Sequence, residues 1–541
     1  MVSGMATYRR SVDCETKTSQ PRVREVCAAA ADVARRLVRS NAIRCPGAHS
    51  FLVRTKEGRT GCHCARRRCG FVLRIDSMAR MHTPETSAPR KKMLPACVAA
   101  LFAMHSIATL ARVDPLALPA YGNLPPSPDK VRTVDTCNDS GPGSLRDAVF
   151  NAASGDVIDL TRLSCSEITL FSGEVAVTVS DLTLLGPGVG PEASHHLTIY
   201  GYFDRIFDKG MGTLTISGLK LAGGHYAGTL ARGGCIFAVG DLVIMDSIVT
   251  GCEVDAPYGS NAFAAGGAIY SQGELWMRNS VITNNVAYSP DREAYGGGVF
   301  ASYIVTIDAS TIADNSVIAP QAYAVGGGVM ITGFSDVNIA NSTISGNDAE
   351  VAGGIRADTL GTTRIIDSTL SGNYASLYVG AGSFSNGPVE LTNSTITRNS
   401  AYAYTPGIIS NQAITVQSSI LADNRAVATD SMSDVCAPSV GGSASLITAS
   451  CSSTPADTIA LCPRLGALKD GGGPTLTHAL ISGSPGMDVG NNTTPLVADQ
   501  RGVLYPRVFG ANADIGAYEW QGELGDDIFR AAFEDRCDRY D

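Results

Sequence analysis

Between residues 242 and 421 the apolar positions fall in short runs with a period of two, interrupted at regular intervals by small and polar residues. Six times an apolar pair precedes a Ser, with a third apolar residue two positions after it, and a seventh copy departs at one place. The six sets are Leu242/Ile244/Val249, Leu275/Met277/Ile282, Val305/Ile307/Ile312, Val337/Ile339/Ile344, Val389/Leu391/Ile396 and Ile414/Val416/Leu421; in the seventh, Thr363 takes the first place before Ile365 and Leu370. A period of two predicts β-strands that bury one face, not helical turns. The element Ser-x-[Ile/Leu/Val]-x-x-Asn runs through the same units as Ser280…Asn285, Ser310…Asn315, Ser342…Asn347, Ser368…Asn373, Ser394…Asn399 and Ser419…Asn424. A degenerate first copy runs from Ser247 to Cys252. Successive Ser positions lie 33, 30, 32, 26, 26 and 25 residues apart, the length of one coil of a parallel β-solenoid.

Two invariants of the unit have a physical reading. Glycine pairs (Gly233-Gly234, Gly266-Gly267, Gly297-Gly298, Gly327-Gly328, Gly353-Gly354) precede the Ser. They suit corners where backbone layers approach closely or φ turns positive. Asn285, Asn315, Asn347, Asn373, Asn399 and Asn424 are expected to take the left-handed conformation at a second corner and to hydrogen-bond from coil to coil as a ladder. About nine coils between Asp156 and Asn424, at about 4.8 Å each, make a rod about 40 Å long. The segment from Ser144 to Ala153 reads as a short amphipathic helix, with Ser144 as N-cap and Asp147 in the capping-box position, that closes the N-terminal end. Residues 430–520, rich in Gly and Pro, are expected to close the other end. The fold class is thus all-β, a parallel β-helix with a short N-terminal capping helix and an irregular C-terminal cap.

Charge changes the picture at the N-terminus. Of 42 Lys+Arg and 51 Asp+Glu, residues 1–92 hold 20 basic and 7 acidic side chains, leaving 22 basic and 44 acidic for the rest. A body this acidic repels phosphate backbones, so no nucleic-acid partner is expected. Arg90-Lys91-Lys92 followed by the apolar run Met93 to Ala111 reads as a secretory signal peptide behind a start at Met78, Met81 or Met93. The expected organisation is a non-native or disordered basic extension over 1–77, a signal region over 78–111 and a linker over 112–130. A β-helix with its cap follows over 131–425, a capping or anchor-type region over 426–520 and a tail over 521–541. Cys62, Cys64 and Cys69 in the head lack paired zinc-ligand spacing. Pro95 and His105 break the apolar run, and no integral membrane domain is expected in the mature chain. Export makes the eight later cysteines, Cys137, Cys165, Cys235, Cys252, Cys436, Cys451, Cys462 and Cys537, disulfide candidates. The short-range pairs Cys235–Cys252 and Cys436–Cys451 are the most economical.

The opening Ser140-Gly-Pro-Gly-Ser-Leu-Arg-Asp-Ala-Val with Ala153-Ser-Gly-Asp-Val-Ile-Asp159, and the coils from Thr213 to Gly224 and of the Asn-Ser-Thr-Ile-Ser-Gly-Asn type, resemble exported bacterial right-handed parallel β-helix proteins of the pectin-lyase-like superfamily. Gly472-Gly-Pro-Thr-Leu-Thr-His-Ala-Leu480, Gly483-Ser-Pro-Gly-Met-Asp-Val-Gly490, Asp499-Gln-Arg-Gly502 and Asp514-Ile-Gly-Ala-Tyr-Glu519 resemble their choice-of-anchor C-terminal region. The tail Asp527 to Asp535 resembles a terminal motif of exported Gram-negative proteins. The resemblance implies a right-handed coil and a secreted or cell-surface location. It does not choose among lyase, hydrolase and adhesin, all of which use this fold.

Enzymes of this superfamily cut acidic polysaccharides, and glycoside hydrolysis needs carboxylates about 5–9.5 Å apart. Asp246 and Asp367 share the position before the Ser but lie four coils apart. Asp314 has Asn284 and Gly346 beside it, and Asp423 faces Arg398. Arg356, Arg364 and Arg398 are candidate bases without a nearby acidic cluster, and histidine is sparse. No catalytic set, cofactor or metal site is expected, although a lyase or hydrolase with a divergent site is the alternative. Tyrosine is the positive signal. Tyr226, Tyr258, Tyr288, Tyr295, Tyr323, Tyr374, Tyr378, Tyr402 and Tyr404, half of the chain's 18, fall in the loops between the Asn and the next Gly pair. Stacked coils bring these loops to one side, where the rings either bind a polysaccharide or cell-surface glycan or brace the corner. The expected protein is a non-catalytic surface adhesin or scaffold.

Overall fold

The computed structural model describes residues 51–56, 59–64, 130–189, 196–492 and 496–522. The chain forms two compact units, Met1–Arg112 and Val113–Asp541. In the first, Phe51–Lys56 and Arg59–Cys64 pair as an antiparallel hairpin within the stretch expected to be disordered. The signal region and the tail from residue 523 lie outside the described residues, as do nearly all of the linker and Cys537. Among the described residues no helix is long and apolar enough to cross a membrane.

The second unit is a right-handed parallel β-helix. Each coil contributes one strand to each of three long sheets, as Ile269–Ser271, Leu275–Arg278 and Val281–Thr283 do in one coil. A fourth, Val286–Tyr288, adds to a side sheet. The sheets have ten, twelve, eleven and nine strands. Parallel register stacks like on like: Leu182, Leu214, Leu242, Leu275, Val305, Val337, Thr363, Val389, Ile414 and Val440 form one inward row. Thr363 stays buried in that row. A row of this kind is what a period of two in the sequence becomes when coils repeat at about 4.8 Å.

Twelve strands in the longest sheet make eleven turns, more than the nine read from the repeats. The additional coils carry no Ser-x-[Ile/Leu/Val]-x-x-Asn signal. Val131–Thr133 pairs with Asp156–Asp159 at the start, and Val440–Ser443 and Leu446–Ile447 continue the sheets past residue 425. At the N-terminal end α1 (Leu145–Phe150) buries Leu145, Ala148 and Val149. The Ser144 hydroxyl accepts from Asp147 N, satisfying one of the helix's free donors, and the Asp147 carboxylate accepts from Gly143 N just before the cap.

The C-terminal region corrects the expected end cap. Residues 448–459 lie on the last coil, through Ile447 N to Ile459 O and Cys451 N to Val435 O. Residues 463–520 instead run along the flank of the eleven-stranded sheet. Thr343 Oγ1 donates to Leu476 O at 2.6 Å, Ser371 pairs with His478 at 2.8 Å, and Ala517 N donates to Thr395 Oγ1 at 3.0 Å. Ile420, Ala422 and Leu446 pack against Leu465, Leu480 and Ile515 in a cluster of their own.

Candidate functional site

Two side-chain ladders hold the corners. Asn285 Nδ2 donates to Asn315 Oδ1 at 2.8 Å, and the chain continues through Asn347, Asn373 and Asn399 to Asn424 at 2.9 Å per step. All six are buried. The left-handed residue at this corner is the one before the Asn (Asn284, Asp314, Gly346, Gly372, Arg398, Asp423), not the ladder residue. The reason is a division of labour: a side chain aimed inward to stack needs an ordinary backbone, so the preceding residue takes the bend. The ladder ends on Asp434, whose Oδ1 accepts from Asn424 Nδ2 at 2.8 Å. Burial pushes this carboxyl up to about 6, opposed by bonds from Thr448, Asn424 and Ala449. The repeated Ser forms the second ladder, each hydroxyl accepting the backbone N–H of the Ser one coil earlier, from Ser247 to Ser445.

Opposite the Asn ladder small residues are required, Gly298, Gly328 and Gly354 in the middle coils and Ala268 and Ala381 on either side of them. A Cβ on Gly298, Gly328 or Gly354 meets the carboxamide of Asn315, Asn347 or Asn373 at 3.0–3.2 Å. In the first copy Cys235 and Cys252 take these two places and bond to each other. Cys137–Cys165 and Cys436–Cys451 are also joined. Cys462 is disulfide-bonded as well.

The tyrosines divide into two groups. Tyr258, Tyr323, Tyr374, Tyr402 and Tyr404 are exposed, Tyr258 at 81%. Tyr288, Tyr295 and Tyr378 are half-buried: Tyr295 packs edge-on against Phe263 and Phe300, and Tyr378 stacks on Tyr404 at 4.8 Å. Tyr226 lies under the Arg205 guanidinium, 3.8 Å away. Beside them the ten-stranded sheet carries an outward row that sequence reading missed. Phe237, Tyr270 and Phe300 stack face to face in three successive coils at 5.5 and 4.9 Å. Their signal was legible as an aromatic residue two or three past the second Gly of the first three pairs.

Carboxylate pairs exist, contrary to expectation, but outside the repeat element. Glu174 and Asp208 both face the buried Arg205, at 3.2 and 4.0 Å. Burial, reinforced by Asp208 and Asp204, raises the Glu174 carboxyl against the pull of Arg205. Asp208 precedes Phe237 in the outward row. The three candidate bases are otherwise engaged and do not converge. Arg356 bonds Ser383, Arg364 bridges Asp336 and Glu390, and Arg398 donates to Leu465 O. A second group, His225, Glu253 and Asp255, brings three metal-capable ligand atoms within 4.8 Å of one another.

The residues of the C-terminal resemblance make a docking interface. Arg507, fully buried, bridges Asp367 of the β-helix and Glu519 of the flank at 3.3 and 3.2 Å. Arg501 lies between the rings of Tyr505 and Tyr518 and pairs with Asp499 at 2.6 Å. Gln500 reaches Thr343 and Thr369 of neighbouring coils. Burial raises Asp367 and Glu519 to about 7 each, and lowers His478 to about 4. With one guanidinium between two carboxylates, one of the pair retains its proton near neutrality.

With this geometry established, the sequence model of a family described as right handed beta helix region matches residues 206–405. This is a β-helix repeat protein. The matched stretch spans the coils from the Arg205 corner to the loop after Asn399 and leaves the docked flank outside it. No curated protein and no solved structure is significantly similar to the chain.

Proposed function

We propose that this β-helix repeat protein is an exported, non-catalytic adhesin or scaffold of the secreted or cell-surface compartment that binds a polysaccharide or cell-surface glycan through its loop tyrosines. One observation carries the reading. Five of the loop rings, Tyr258, Tyr323, Tyr374, Tyr402 and Tyr404, are exposed, and the half-buried Tyr378 stacks on one of them, Tyr404. An exposed phenol offers an apolar face and a polar tip, the pair of contacts a sugar ring requires. Disulfides among the later cysteines favour an oxidising compartment. Alanine replacement of Tyr323 and Tyr402 should abolish retention on immobilised polysaccharide while leaving the Tm unchanged; a parallel loss of Tm identifies the rings as braces and removes the reading.

A second reading, a polysaccharide lyase or glycoside hydrolase of the pectin-lyase-like type, is favoured by the Glu174–Asp208 pair beside Arg205. Incubation with uronic-acid polysaccharides, with and without Ca²⁺, separates the two. New reducing ends or unsaturated products that disappear in Glu174→Gln establish the enzyme and overturn the non-catalytic proposal.

A further inference from the structure

The first two strands of the nine-stranded sheet, His225–Ala227 and Glu253–Asp255, pair in parallel, with His225 beside Glu253 and Ala227 beside Asp255. Residues two apart on a strand share a face, so the imidazole and both carboxylates project to the same side. His225 Nε2 lies 3.1 Å from Asp255 Oδ2, and all three ligand atoms fall within 4.8 Å. Asp255 Oδ1 is buried and makes no hydrogen bond. Among the ion pairs of the described residues, no Lys or Arg engages Glu253 or Asp255; their one cationic neighbour is the imidazole. Two carboxylates are thus held together with no Lys or Arg, among the described residues, in an ion pair with either. Next along the row come Val286 and Tyr288, which ends the cluster at a single site.

The surroundings hold this geometry. Glu253 follows Cys252, which is tied to Cys235, and His225 follows Gly223, at φ +68°, and Gly224. The strand His225–Ala227 is the outermost of its sheet, and His225 and Asp255 retain 44% and 29% of their side-chain exposure, so one side of the group opens to solvent. Ligand atoms at about 2.1 Å from a tetrahedral ion sit about 3.4 Å apart. The three side chains therefore reach that arrangement by rotations of about 1 Å. An imidazole nitrogen with two carboxylate oxygens suits a borderline transition metal rather than Ca²⁺ or Mg²⁺, which prefer all-oxygen shells.

We propose that His225, Glu253 and Asp255 bind one divalent transition-metal ion of the zinc class, leaving its solvent-side positions open. The proposal is independent of the glycan reading. The test uses the full, untagged, metal-stripped chain dialysed against Zn²⁺, with bound metal counted by elemental analysis in wild type, His225→Gln, Glu253→Gln and Asp255→Asn. Each variant is expected to hold one equivalent fewer than wild type, and Zn²⁺ to raise the Tm of wild type but of none of the three. Counting the difference removes any contribution from cysteines elsewhere. Should Asp255→Asn fail to fold by circular dichroism, the half-exposed His225→Gln carries the test. Equal stoichiometry in wild type and the folded variants overturns the site, and displacement of Zn²⁺ by equimolar Ca²⁺ overturns its metal class.

Discussion

The eleven-stranded sheet presents the same register to two different environments. In the coils of Ile248–Thr250, Val281–Thr283 and Thr311–Ala313 the inward residue is buried and the two outward ones are half-exposed. In Thr343–Ser345, Thr369–Ser371, Thr395–Thr397 and Ile420–Ala422 all three are buried. The strands are alike; residues 463–520 cover only the second group. The outward row reads Ile248, Val281 and Thr311 in the uncovered coils and Thr343, Thr369, Thr395 and Ile420 in the covered ones. The three covered threonines meet polar groups of the segment, and Ile420 packs on its apolar residues. A threonine row can satisfy a docked backbone, which an aliphatic row cannot, and an unsatisfied buried polar group costs about 1–3 kcal/mol. The earlier coils spend their extra residues on the other side, on longer loops that include the small strands Ala264–Ala265, Ala294–Tyr295 and Ala324–Val325. One half of the rod elaborates loops, and the other accepts a covering segment.

The largest effect that separates the halves should come from Arg507. Its replacement by Met leaves Asp367 and Glu519 buried without their cation, a loss of about 3–5 kcal/mol. Hydrogen exchange should show protection lost across 463–520 and the coils of 343–422 but retained in the coils of 213–313. Loss throughout would mean that the two halves are one cooperative unit. Next in size is the Cys235–Cys252 bond, which closes a 17-residue separation in the uncovered half and is worth about 3 kcal/mol. Replacing both by Ala should lower urea resistance of the early coils selectively. The pair Cys235→Gly with Cys252→Asn restores the Gly–Asn packing of later coils and should recover part of that loss.

The smallest effect is that of pH. Asp367 and Glu519 titrate near 7 and Asp434 near 6 in the folded chain, all raised by burial. A raised carboxyl contributes stability that is complete below its unfolded value and declines as pH rises through the folded one. The covered half should therefore be better protected from exchange at pH 6.5 than at pH 8.5, with the early coils unchanged. His478, lowered to about 4, acts oppositely. Its contribution is present above its unfolded value and is lost as pH falls, so the gain should flatten below about pH 6.5. Equal protection at pH 6.5 and 8.5 would show that Arg507 keeps both carboxylates ionised.

Periodicity was enough to read the coil, because inward residues, corner glycines and ladder asparagines recur at fixed offsets and each has a local cause. The Thr in Asn341-Ser-Thr and Asn393-Ser-Thr was equally visible, but its burial depends on a segment more than a hundred residues away. The partners of Asp367 and His478 were hidden for the same reason. Glu174, Asp208, His225, Glu253 and Asp255 belong to no repeat position, so nothing in the spacing marked them. They become neighbours only because parallel register sets residues 28 to 34 apart side by side.

The sequence by itself determined a stacked all-β coil, its buried rows and the glycines and asparagines of its corners, since these follow from spacing and backbone preference. Tertiary structure alone decided where the C-terminal segment lies, which tyrosines remain exposed and which charges meet, because contacts between distant coils and an aperiodic strap leave no period to read.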